Sequence, residues 1–360
     1  MTTELKILSL KAWFPFEGDK LIIAGPCSAE TKNQTLQTAS ALKDIKKVHL
    51  FRAGLWKPRT RPGSFEGIGE TGLNWMSEVK KTTHMPITVE VANAGHVEKA
   101  LANNVDVLWI GARTTANPFS VQEIADALSG VDIPVMIKNP INPDLSLWVG
   151  ALERINGSGI NRLIAIHRGF STHHEEYRNA PHWEIPLKLK TLIPPLPILC
   201  DPSHIAGSRK HLFQIAQKAM DLDMDGLMIE SHINPDEALS DPKQQIKPSD
   251  LADFLENLEL RSSTSSDVSY LTELEELRSK IDDLDRSIIE LVSQRMDISS
   301  SIGDFKLDHN VTVFQLERWK EILETRVPLG ASKGLKDAFI EELMQLIHDE
   351  SIKIQLTRFR

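Results

Sequence analysis

Eight short apolar segments alternate with helical patterns between residues 20 and 230, and this alternation constrains the fold more than any other feature. Each segment has strand length and is apolar on both faces, which is typical of parallel strands covered by helices. The segments are residues 21–24, 48–53, 86–91, 105–111, 133–139, 162–167, 196–201 and 225–230. Amphipathic patterns lie at 33–46, 95–103, 121–128 and 208–222. This order predicts an α/β fold, a TIM-type (β/α)8 barrel.

A doubly wound open sheet is the alternative architecture for alternating strands and helices. Sheets of this kind that bind dinucleotides carry a G-x-G-x-x-G sequence after the first strand. No such sequence follows residues 21–24. The barrel is therefore the favoured fold.

The pattern changes after Leu260. Residues 261–267 are rich in serine and carry no apolar anchor, so we interpret them as a linker. Beyond them, apolar residues recur mostly at three- and four-residue steps, which predicts a long amphipathic helix over 269–307. They are Leu271, Leu274, Leu277, Ile281, Leu284, Ile288, Leu291, Ile298, Ile302 and Phe305. Two shorter helices are predicted near 315–326 and 332–358, broken at Pro328 and Gly330.

These boundaries predict a barrel over 1–260, a linker over 261–267 and a small all-α domain over 268–360. A domain of this size cannot bury so long an apolar stripe by folding back on two shorter helices. We therefore expect a homodimer through the helical domain. A tetramer is the alternative if the barrel adds contacts of its own.

Composition excludes several classes of protein. The formal net charge of −9 argues against a nucleic-acid-binding protein, because such proteins need a basic surface. Two cysteines, Cys27 and Cys200, cannot build a disulfide scaffold, so a reducing compartment is expected. The N-terminal segment lacks the regions of a signal peptide, and no apolar run reaches the length of a membrane span. We therefore expect a soluble cytoplasmic protein that acts on small molecules, without nucleic-acid or membrane partners.

Basic residues follow several of the predicted strands. In a (β/α)8 barrel the active site lies at the carboxyl ends of the strands, so these side chains converge on one rim. The cations are Arg52, Lys57, Arg59, Arg113, Lys138 and Arg168. Guanidinium groups match two oxygens of a carboxylate or phosphate at once, so the set predicts a substrate with several negative charges. An ordinary basic loop is the alternative for the segment 51–60 taken alone.

A second group of strand-end residues offers metal ligands. Its members are Cys27, His204, Glu230 and Asp241. One sulfur, one nitrogen and two carboxylates favour a divalent transition metal, Mn, Fe, Co or Zn, over Ca or Mg. Each residue taken alone has a structural alternative as a core residue, a helix cap or a surface charge. Cys200, His232, His173 and His174 have no comparable support and are interpreted as structural.

The motifs at these strand ends, in this order, resemble those of 3-deoxy-D-arabino-heptulosonate 7-phosphate (DAHP) synthase, most closely the compact type I-beta. They are GPCS, R-x4-KPRT, GAR, the Lys138 strand end, HRG, DPSH, MIESH and ALSD, within residues 20–250. The similar 3-deoxy-D-manno-octulosonate 8-phosphate synthase lacks KPRT, so that motif decides between the two families. The resemblance implies condensation of phosphoenolpyruvate with erythrose 4-phosphate, the entry step of aromatic biosynthesis in the shikimate pathway.

The resemblance also implies roles for individual residues. Phosphoenolpyruvate would be held by Arg52, Lys57, Arg113, Lys138 and Arg168. Lys57 is expected to be catalytic as well. Arg59 and Thr60 would contact the erythrose phosphate. A metal ion held by Cys27, His204, Glu230 and Asp241 would polarise the aldehyde as a Lewis acid.

Cations also occur within the amphipathic pattern of the helical domain. Arg295 and Lys306 are 11 residues apart, about three turns, so they share a face of the predicted helix. Arg278 lies 17 residues before Arg295, about 100° around the helix, and is better placed to serve a partner's site. Ser351 and Gln355 share a face of the last helix. Solvated charges on the helix surface are the alternative interpretation.

The sequence L-R-S-K-I-D-x-L-D, together with these residues and Arg318, resembles the all-helical chorismate mutase family across 268–360. Members are interlocked dimers that rearrange chorismate to prephenate by electrostatic preorganisation, without a metal or a nucleophile. The implied catalytic residues are Arg295, Lys306, Arg318 and Gln355, with Arg278 of the partner subunit. Lys306 would donate to the breaking ether oxygen, while Gln315 and Ser351 would bind substrate.

Gln315 and Trp319 depart from this resemblance, because many members carry Asp and Glu there, so weaker mutase activity is expected. The leading hypothesis is a bifunctional enzyme in which a metal-dependent synthase is joined to a chorismate mutase. The alternative makes the helical domain only a regulatory and dimerisation module. A third interpretation is a sugar-phosphate-binding metalloprotein without catalysis. We expect prephenate or chorismate bound at the helical domain to inhibit the synthase.

Overall fold

A computed structural model of the chain describes residues 5–57, 63, 65–174, 176–262 and 264–359. The chain divides into two compact units, Met1–Ser263 and Thr264–Arg360. The first unit contains all the strands of the described residues, and the second contains helices. Within the described residues, no helix is both long enough and apolar enough to cross a membrane.

The first unit is a closed barrel of eight parallel strands in sequential order, which confirms the predicted TIM-type fold. The strands are β1 Leu21–Gly25, β2 Leu50–Ala53, β3 Ile87–Val91, β4 Val107–Ile110, β5 Val135–Lys138, β6 Leu163–His167, β7 Ile198–Cys200 and β8 Gly226–Glu230. The barrel closes where β1 pairs with β8, from Leu21 opposite Gly226 to Gly25 opposite Glu230. This register puts the GPCS segment and the end of β8 at the same level of the rim.

Helices surround the strands. They are α1 Leu10–Trp13, α2 Lys32–Lys43, α3 Thr71–Thr83, α4 Ala94–Ala102, α5 Ala112–Thr115, α6 Pro118–Ala127, α7 Leu145–Gly157, α8 Glu184–Leu192, α9 Pro202–Ala206, α10 Leu212–Asp221 and α11 Pro248–Glu256. Several begin at a side-chain cap, as where Asp144 accepts from the Leu147 N–H and Asp201 from the His204 N–H. Asp201 thus ties the start of α9 to the end of β7.

Alternate strand residues face two separate cores, as the period of a strand requires. Side chains that point into the barrel pack among themselves, including Ile23, Trp109 and Met228. The other set packs against the helices, as Ile22 and Val89 do. Leu10 of α1 joins the inner group. Both faces of every strand are buried apart from Glu90 in β3, which explains the continuous apolar segments in the sequence.

The second unit contains three helices in its described residues, α12 Val268–Asp308, α13 Leu316–Ser332 and α14 Asp337–Leu356. The long helix was predicted within a residue at each end. The predicted break at Pro328 and Gly330 is wrong, because α13 continues through both residues. Gly330 is buried against Ile340 of α14, and a Cβ there would lie 2.4 Å from Ile340 Cγ1. An internal proline costs a helix about 3 kcal/mol, so the continuity of α13 depends on its packing against α14.

The long helix leaves many apolar side chains exposed in the single chain. They include Leu277, Ile281, Leu284, Ile288, Leu291, Ile298, Ile302 and Phe305, all members of the predicted stripe. Contiguous exposed apolar surface of this kind is typical of an interaction face.

Candidate active site

Seven strands, through their ends or the segments that follow them, contribute residues to one polar pocket at the carboxyl rim of the barrel. It is lined by Arg52, Lys57, Glu90, Gly111, Ala112, Arg113, Lys138, Ile141, Arg168, Ser171, Arg178, His204 and Asp241. All five predicted cations that lie in the described residues are among them. Arg59 and Thr60, predicted to contact the sugar phosphate, lie outside the described residues.

Arg52 extends from β2 into the buried part of this pocket, and its side chain is only 1% exposed. Its Nη2 donates to Glu230 Oε1 at 3.3 Å, and its guanidinium lies 5.0 Å from the centre of the Trp109 ring. Nε and Nη1 are buried and have no partner among the described residues. Buried donors without acceptors are costly, so these two groups are available for an anionic ligand.

Lys138, at the end of β5, is paired with a carboxylate that the sequence interpretation left unassigned. Its Nζ lies 2.7 Å from Asp201 Oδ2, and both side chains are buried. Burial lowers the pKa of Lys138, and the Asp201 charge partly offsets this effect. Burial alone would raise the pKa of Asp201, but His204 and Lys138 hold it well below its usual range. Asp201 therefore remains ionised and keeps the ammonium group in the pocket.

Arg168 follows β6 and is fixed by three hydrogen bonds. Its backbone N–H donates to Asn139 Oδ1 at 2.7 Å, and its Nη1 donates to Asn179 Oδ1 at 3.0 Å and to Gly169 O at 3.2 Å. Burial lowers its pKa to about 10, so it still carries its charge at neutral pH. The cation is therefore both desolvated and held in place.

Three of the four predicted metal ligands form a compact cluster beside these cations. Ligand atoms of Cys27, Glu230 and Asp241 all lie within 4.8 Å of one another. Cys27 Sγ lies 3.3 Å from Asp241 Oδ2, and Glu230 is fully buried. The fourth residue, His204, lies beside the cluster, with Nε2 3.8 Å from Glu230 Oε1. Its Nδ1 lies 2.8 Å from Asp201 Oδ2, which leaves Nε2 as the nitrogen that points towards the cluster.

The donor set of this cluster fits a divalent transition metal. It combines a sulfur and two carboxylates with a nearby imidazole, which is a mixture that Mn, Fe, Co or Zn accepts. Burial lowers the pKa of His204, which favours the neutral form that coordinates metals. Without a metal, burial and the Glu230 charge raise the pKa of Cys27 to about 12. A buried carboxylate and a half-buried one that face a thiol form a site suited to a cation.

In the helical unit, α12 and α14 bring part of the second predicted site together. Arg295 Nη1 donates to Ser351 Oγ, and Gln355 lies four residues further along α14, with its Oε1 buried and lacking a partner among the described residues. Lys306 Nζ donates to Val313 O at 2.6 Å. These side chains form the helical cluster, defined as Arg295, Lys306, Ser351 and Gln355.

The other predicted residues of this unit lie apart from the helical cluster in the single chain. Arg278 is exposed and pairs with Glu275 at 3.7 Å, and 17 residues of helix place it about 25 Å from Arg295. Arg318 pairs with Glu321 at 2.6 Å on the surface of α13. Gln315 occupies the residue before α13. A ligand that contacts both Arg278 and Arg295 therefore needs a second chain.

Residues 15–265 match the family model described as the DAHP synthetase I family. This chain belongs to the DAHP synthetase I family. Residues 277–356 match the model for chorismate mutase type II, so a mutase-type domain accompanies the synthase barrel in this family member. The two matches correspond to the two units of the structure.

Individual relatives carry the names of two aldolases. The chain is 32% identical over 226 residues to phospho-2-dehydro-3-deoxyheptonate aldolase of Thermotoga maritima, and the match covers 62% of this chain and 64% of that relative. It is 27% identical over 270 residues to 2-dehydro-3-deoxyphosphooctonate aldolase of Paraburkholderia xenovorans, covering 66% and 88%. The crystal structure of the Thermotoga maritima DAHP synthase superposes with a TM-score of 0.61 at 27% identity, covering 70% of this chain and 75% of that one.

Three charged residues in or beside this synthase-family pocket are not predicted from the sequence. Asp201 lies within the DPSH motif, and Glu90 ends a predicted strand, so the strand-end rule could have found both. A Cβ at Gly111 would lie 2.0 Å from Glu90 Oε1, which explains the glycine of the GAR motif. Arg178 lies in the loop after β6 and donates to Asp241 Oδ1 and Gln244 Oε1, each at 2.9 Å. No local sequence signal marks it.

Proposed function

We propose that the barrel condenses phosphoenolpyruvate with erythrose 4-phosphate to give DAHP and phosphate, and that the helical unit rearranges chorismate to prephenate. One observation carries the first activity. In a single pocket, the buried Arg52 has two donor nitrogens without partners among the described residues and lies beside the cluster of Cys27, Glu230 and Asp241. Membership of the DAHP synthetase I family supports this reaction class. In this assignment residues 1–260 form the synthase domain, 261–267 the linker and 268–360 the mutase domain.

Phosphoenolpyruvate carries a carboxylate and a phosphate, and the cations of the pocket match both groups. Arg52 would bind with its free Nε and Nη1 donors, while Lys138 and Arg168 would supply charge from fixed positions. Their burial strengthens such contacts because water screens them less. Lys57 and Arg113 line the same pocket and keep their proposed roles in substrate binding. The proposed contact of Arg59 and Thr60 with the sugar phosphate rests on the KPRT motif.

Cys27, Glu230 and Asp241 would hold a divalent Mn, Fe, Co or Zn ion, with His204 as the fourth ligand. When bound, such an ion supplies a Lewis acid for the aldehyde of erythrose 4-phosphate. Asp201 would orient His204 through its 2.8 Å contact with Nδ1, as carboxylates do behind metal-bound histidines. The same carboxylate fixes Lys138, so it serves the metal cluster and the anion pocket together.

In the proposed reaction, C3 of phosphoenolpyruvate attacks the aldehyde carbon, one carbon–carbon bond forms, and the aldehyde oxygen takes up a proton. Water then adds at C2 and phosphate leaves, so two substrates and one water give DAHP and phosphate. The cations hold two mutually repelling anions in reacting geometry. Lys57, with Nζ 3.4 Å from Cys27 Sγ, would place a positive charge between the anion pocket and the metal cluster.

For the helical unit, the supporting observation is the bond from Arg295 to Ser351, beside the unmet Gln355 oxygen. Arg295 and Arg318 would bind the carboxylates of chorismate, and Lys306 would donate to the breaking ether oxygen, which stabilises the charge that develops in the transition state. Arg278 of the partner subunit would complete the site. The exposed apolar residues of α12 support a homodimer through this face, which sedimentation of a variant with Ile288→Asp would test.

Phosphate release from the two substrates tests the synthase proposal. Full-length protein should release phosphate in the presence of Mn²⁺ and lose this activity with a chelator. Cys27→Ala should abolish the activity, whereas Cys200→Ala, which alters a buried cysteine of β7 outside the pocket, should retain most of it. Full activity of the Cys27→Ala protein would contradict the proposed metal site.

Turnover of chorismate by full-length protein tests the mutase proposal. Lys306→Ala should remove this turnover and leave phosphate release intact. Saturating prephenate should inhibit phosphate release from the unmodified protein. Background rates with chorismate, combined with inhibition by prephenate, would instead favour a helical domain that serves only regulation and dimerisation. Phosphate release that is unchanged by prephenate and chorismate would exclude feedback.

A further inference from the structure

We propose that His348, held by Trp319, contacts the substrate in the helical unit, with its Nε2 bound to the ring hydroxyl of chorismate. This inference rests on the proposed mutase function. Neither residue belongs to the predicted site: His348 is absent from it, and Trp319 is only a departure from the pattern of the mutase family. The structure brings both to the helical cluster.

The His348 ring is fixed between two aromatic side chains. It stacks on Trp319 of α13, with ring centres 4.3 Å apart and planes at 21°. Phe314, which precedes α13, meets it edge-on at 6.1 Å. Two such contacts prevent the imidazole from turning freely. His348 Nε2 is buried and has no partner among the described residues, so the fixed ring presents an unmet polar atom.

His348 belongs to the same face of α14 as the helical cluster. It lies three residues before Ser351 and seven before Gln355, and this spacing aligns side chains along one side of a helix. Arg295 and Lys306 of α12 lie within electrostatic range of it: burial lowers the pKa of His348, the Asp349 charge opposes this, and the two cations lower it further. Gln355 Oε1 is the second buried polar atom without a partner on this face. Two buried polar atoms without partners among the described residues thus lie on the face of α14 that meets Arg295, and both are available to a polar ligand.

Each functional group of chorismate can be assigned to one of these side chains. Chorismate carries two carboxylates, an ether oxygen and one ring hydroxyl. Arginine and lysine donate only, and they match the carboxylates and the ether oxygen. The hydroxyl can donate to an imidazole nitrogen that carries no proton or accept from one that does, so His348 Nε2 can pair with it in either neutral tautomer. His348 Nε2 is therefore assigned to the hydroxyl, and Trp319 positions the ring.

The test compares kcat/KM for chorismate in full-length variants, with phosphate release as the internal measure of folding. His348→Phe preserves the stack on Trp319 but removes Nε2. The hydroxyl of chorismate would then lack its partner in the site, which should lower kcat/KM about 10- to 100-fold. His348→Gln should recover part of the loss. His309→Phe is the matched control, since His309 also contacts an aromatic ring, Phe305 with ring centres 4.1 Å apart, but is exposed. It should leave kcat/KM unchanged.

An analogue of chorismate without the ring hydroxyl identifies the contact. It should bind the unmodified protein more weakly than chorismate does, and His348→Phe should bind the two compounds equally. A His348→Phe protein that turns over chorismate within twofold of the unmodified rate would overturn the inference while leaving the mutase proposal standing. Absence of chorismate turnover in the unmodified protein, with phosphate release intact, would refute the mutase proposal and this inference together.

Discussion

Replacing Glu30 by alanine should weaken metal binding in the barrel, although Glu30 is not a predicted ligand. Its Oε1 accepts hydrogen bonds from the backbone N–H groups of Leu239 at 2.8 Å and Ser240 at 3.2 Å. These residues precede Asp241, whose φ of +50° lies in the left-handed region that residues other than glycine rarely adopt. Glu30 therefore stabilises the turn that presents the Asp241 carboxylate to Cys27.

A second tether limits the size of the effect. Gln245 Oε1 accepts from the Cys27 N–H at 2.9 Å, and its Nε2 donates to Ser240 O at 2.7 Å. Removal of Glu30 deletes two hydrogen bonds to a charged acceptor, each worth about 1.5–3 kcal/mol, but the Gln245 tether remains. Residues that support metal ligands typically change affinity by about 10- to 100-fold. With one tether retained, we expect the lower end, about tenfold.

Titration of full-length protein with Co²⁺ measures this effect, because a bond between cobalt and the Cys27 thiolate gives a charge-transfer absorption. Glu30→Ala should raise the Kd for Co²⁺ about tenfold, and Glu30→Gln should have a smaller effect because the amide oxygen still accepts. Glu237→Ala is the matched control, since that carboxylate is exposed in the nearby Pro235–Glu237 turn. A Glu30→Ala protein that is folded and binds Co²⁺ as tightly as the unmodified protein would refute the reasoning.

Three further predictions concern charge and burial. A chelator should stop phosphate release but spare chorismate turnover, because the proposed mutase site uses only protein side chains; equal loss of both would contradict this. Arg52→Gln should lower kcat/KM for phosphoenolpyruvate about 100-fold, since loss of one partner from a buried, hydrogen-bonded charge contact in a complex costs about 2–5 kcal/mol; steady-state kinetics would show it, and a change below tenfold would count against the role. Burial lowers the pKa of His167 from 6.5 to about 3. Below pH 6.5 the unfolded chain therefore binds a proton that the folded protein excludes, and the free energy of unfolding decreases as the pH falls. The urea midpoint of His167→Gln should therefore fall less between pH 7 and pH 4.5 than that of the unmodified protein, and parallel curves would disprove this contribution.

The barrel and much of its site could be predicted because both depend on local patterns. A strand covered on both faces is continuously apolar, so residues 105–111 and 196–201 stand out without knowledge of their neighbours. The position of Arg52 or Lys138 at the rim then follows from the strand-end rule alone. The same rule identifies the side chains of the pocket but does not tell which carboxylate each cation meets.

The pairings could not be predicted because they depend on barrel closure and loop paths. Arg178 meets Asp241 only because the loop after β6 reaches the segment after β8, 63 residues further along the chain. The register of β1 with β8 decides that Cys27 lies beside Glu230. In the helical unit, the chemistry of proline predicts that the helix breaks at Pro328. The helix nevertheless continues, and the contact of Gly330 with Ile340 is a tertiary effect that this local rule does not include.

The metal cluster and the anion pocket of the barrel are one electrostatic unit. Arg52 donates to Glu230 with one nitrogen and presents two others to the pocket, and Arg178 lines the pocket while pairing with Asp241. Each arginine thus divides its charge between a proposed metal ligand and the space for substrate. A divalent ion in the cluster would neutralise both carboxylates and leave more of each guanidinium charge for an anion. A site for anions alone would not require a buried carboxylate. The burial of Glu230 is explained if the same pocket holds both a metal ion and an anionic substrate.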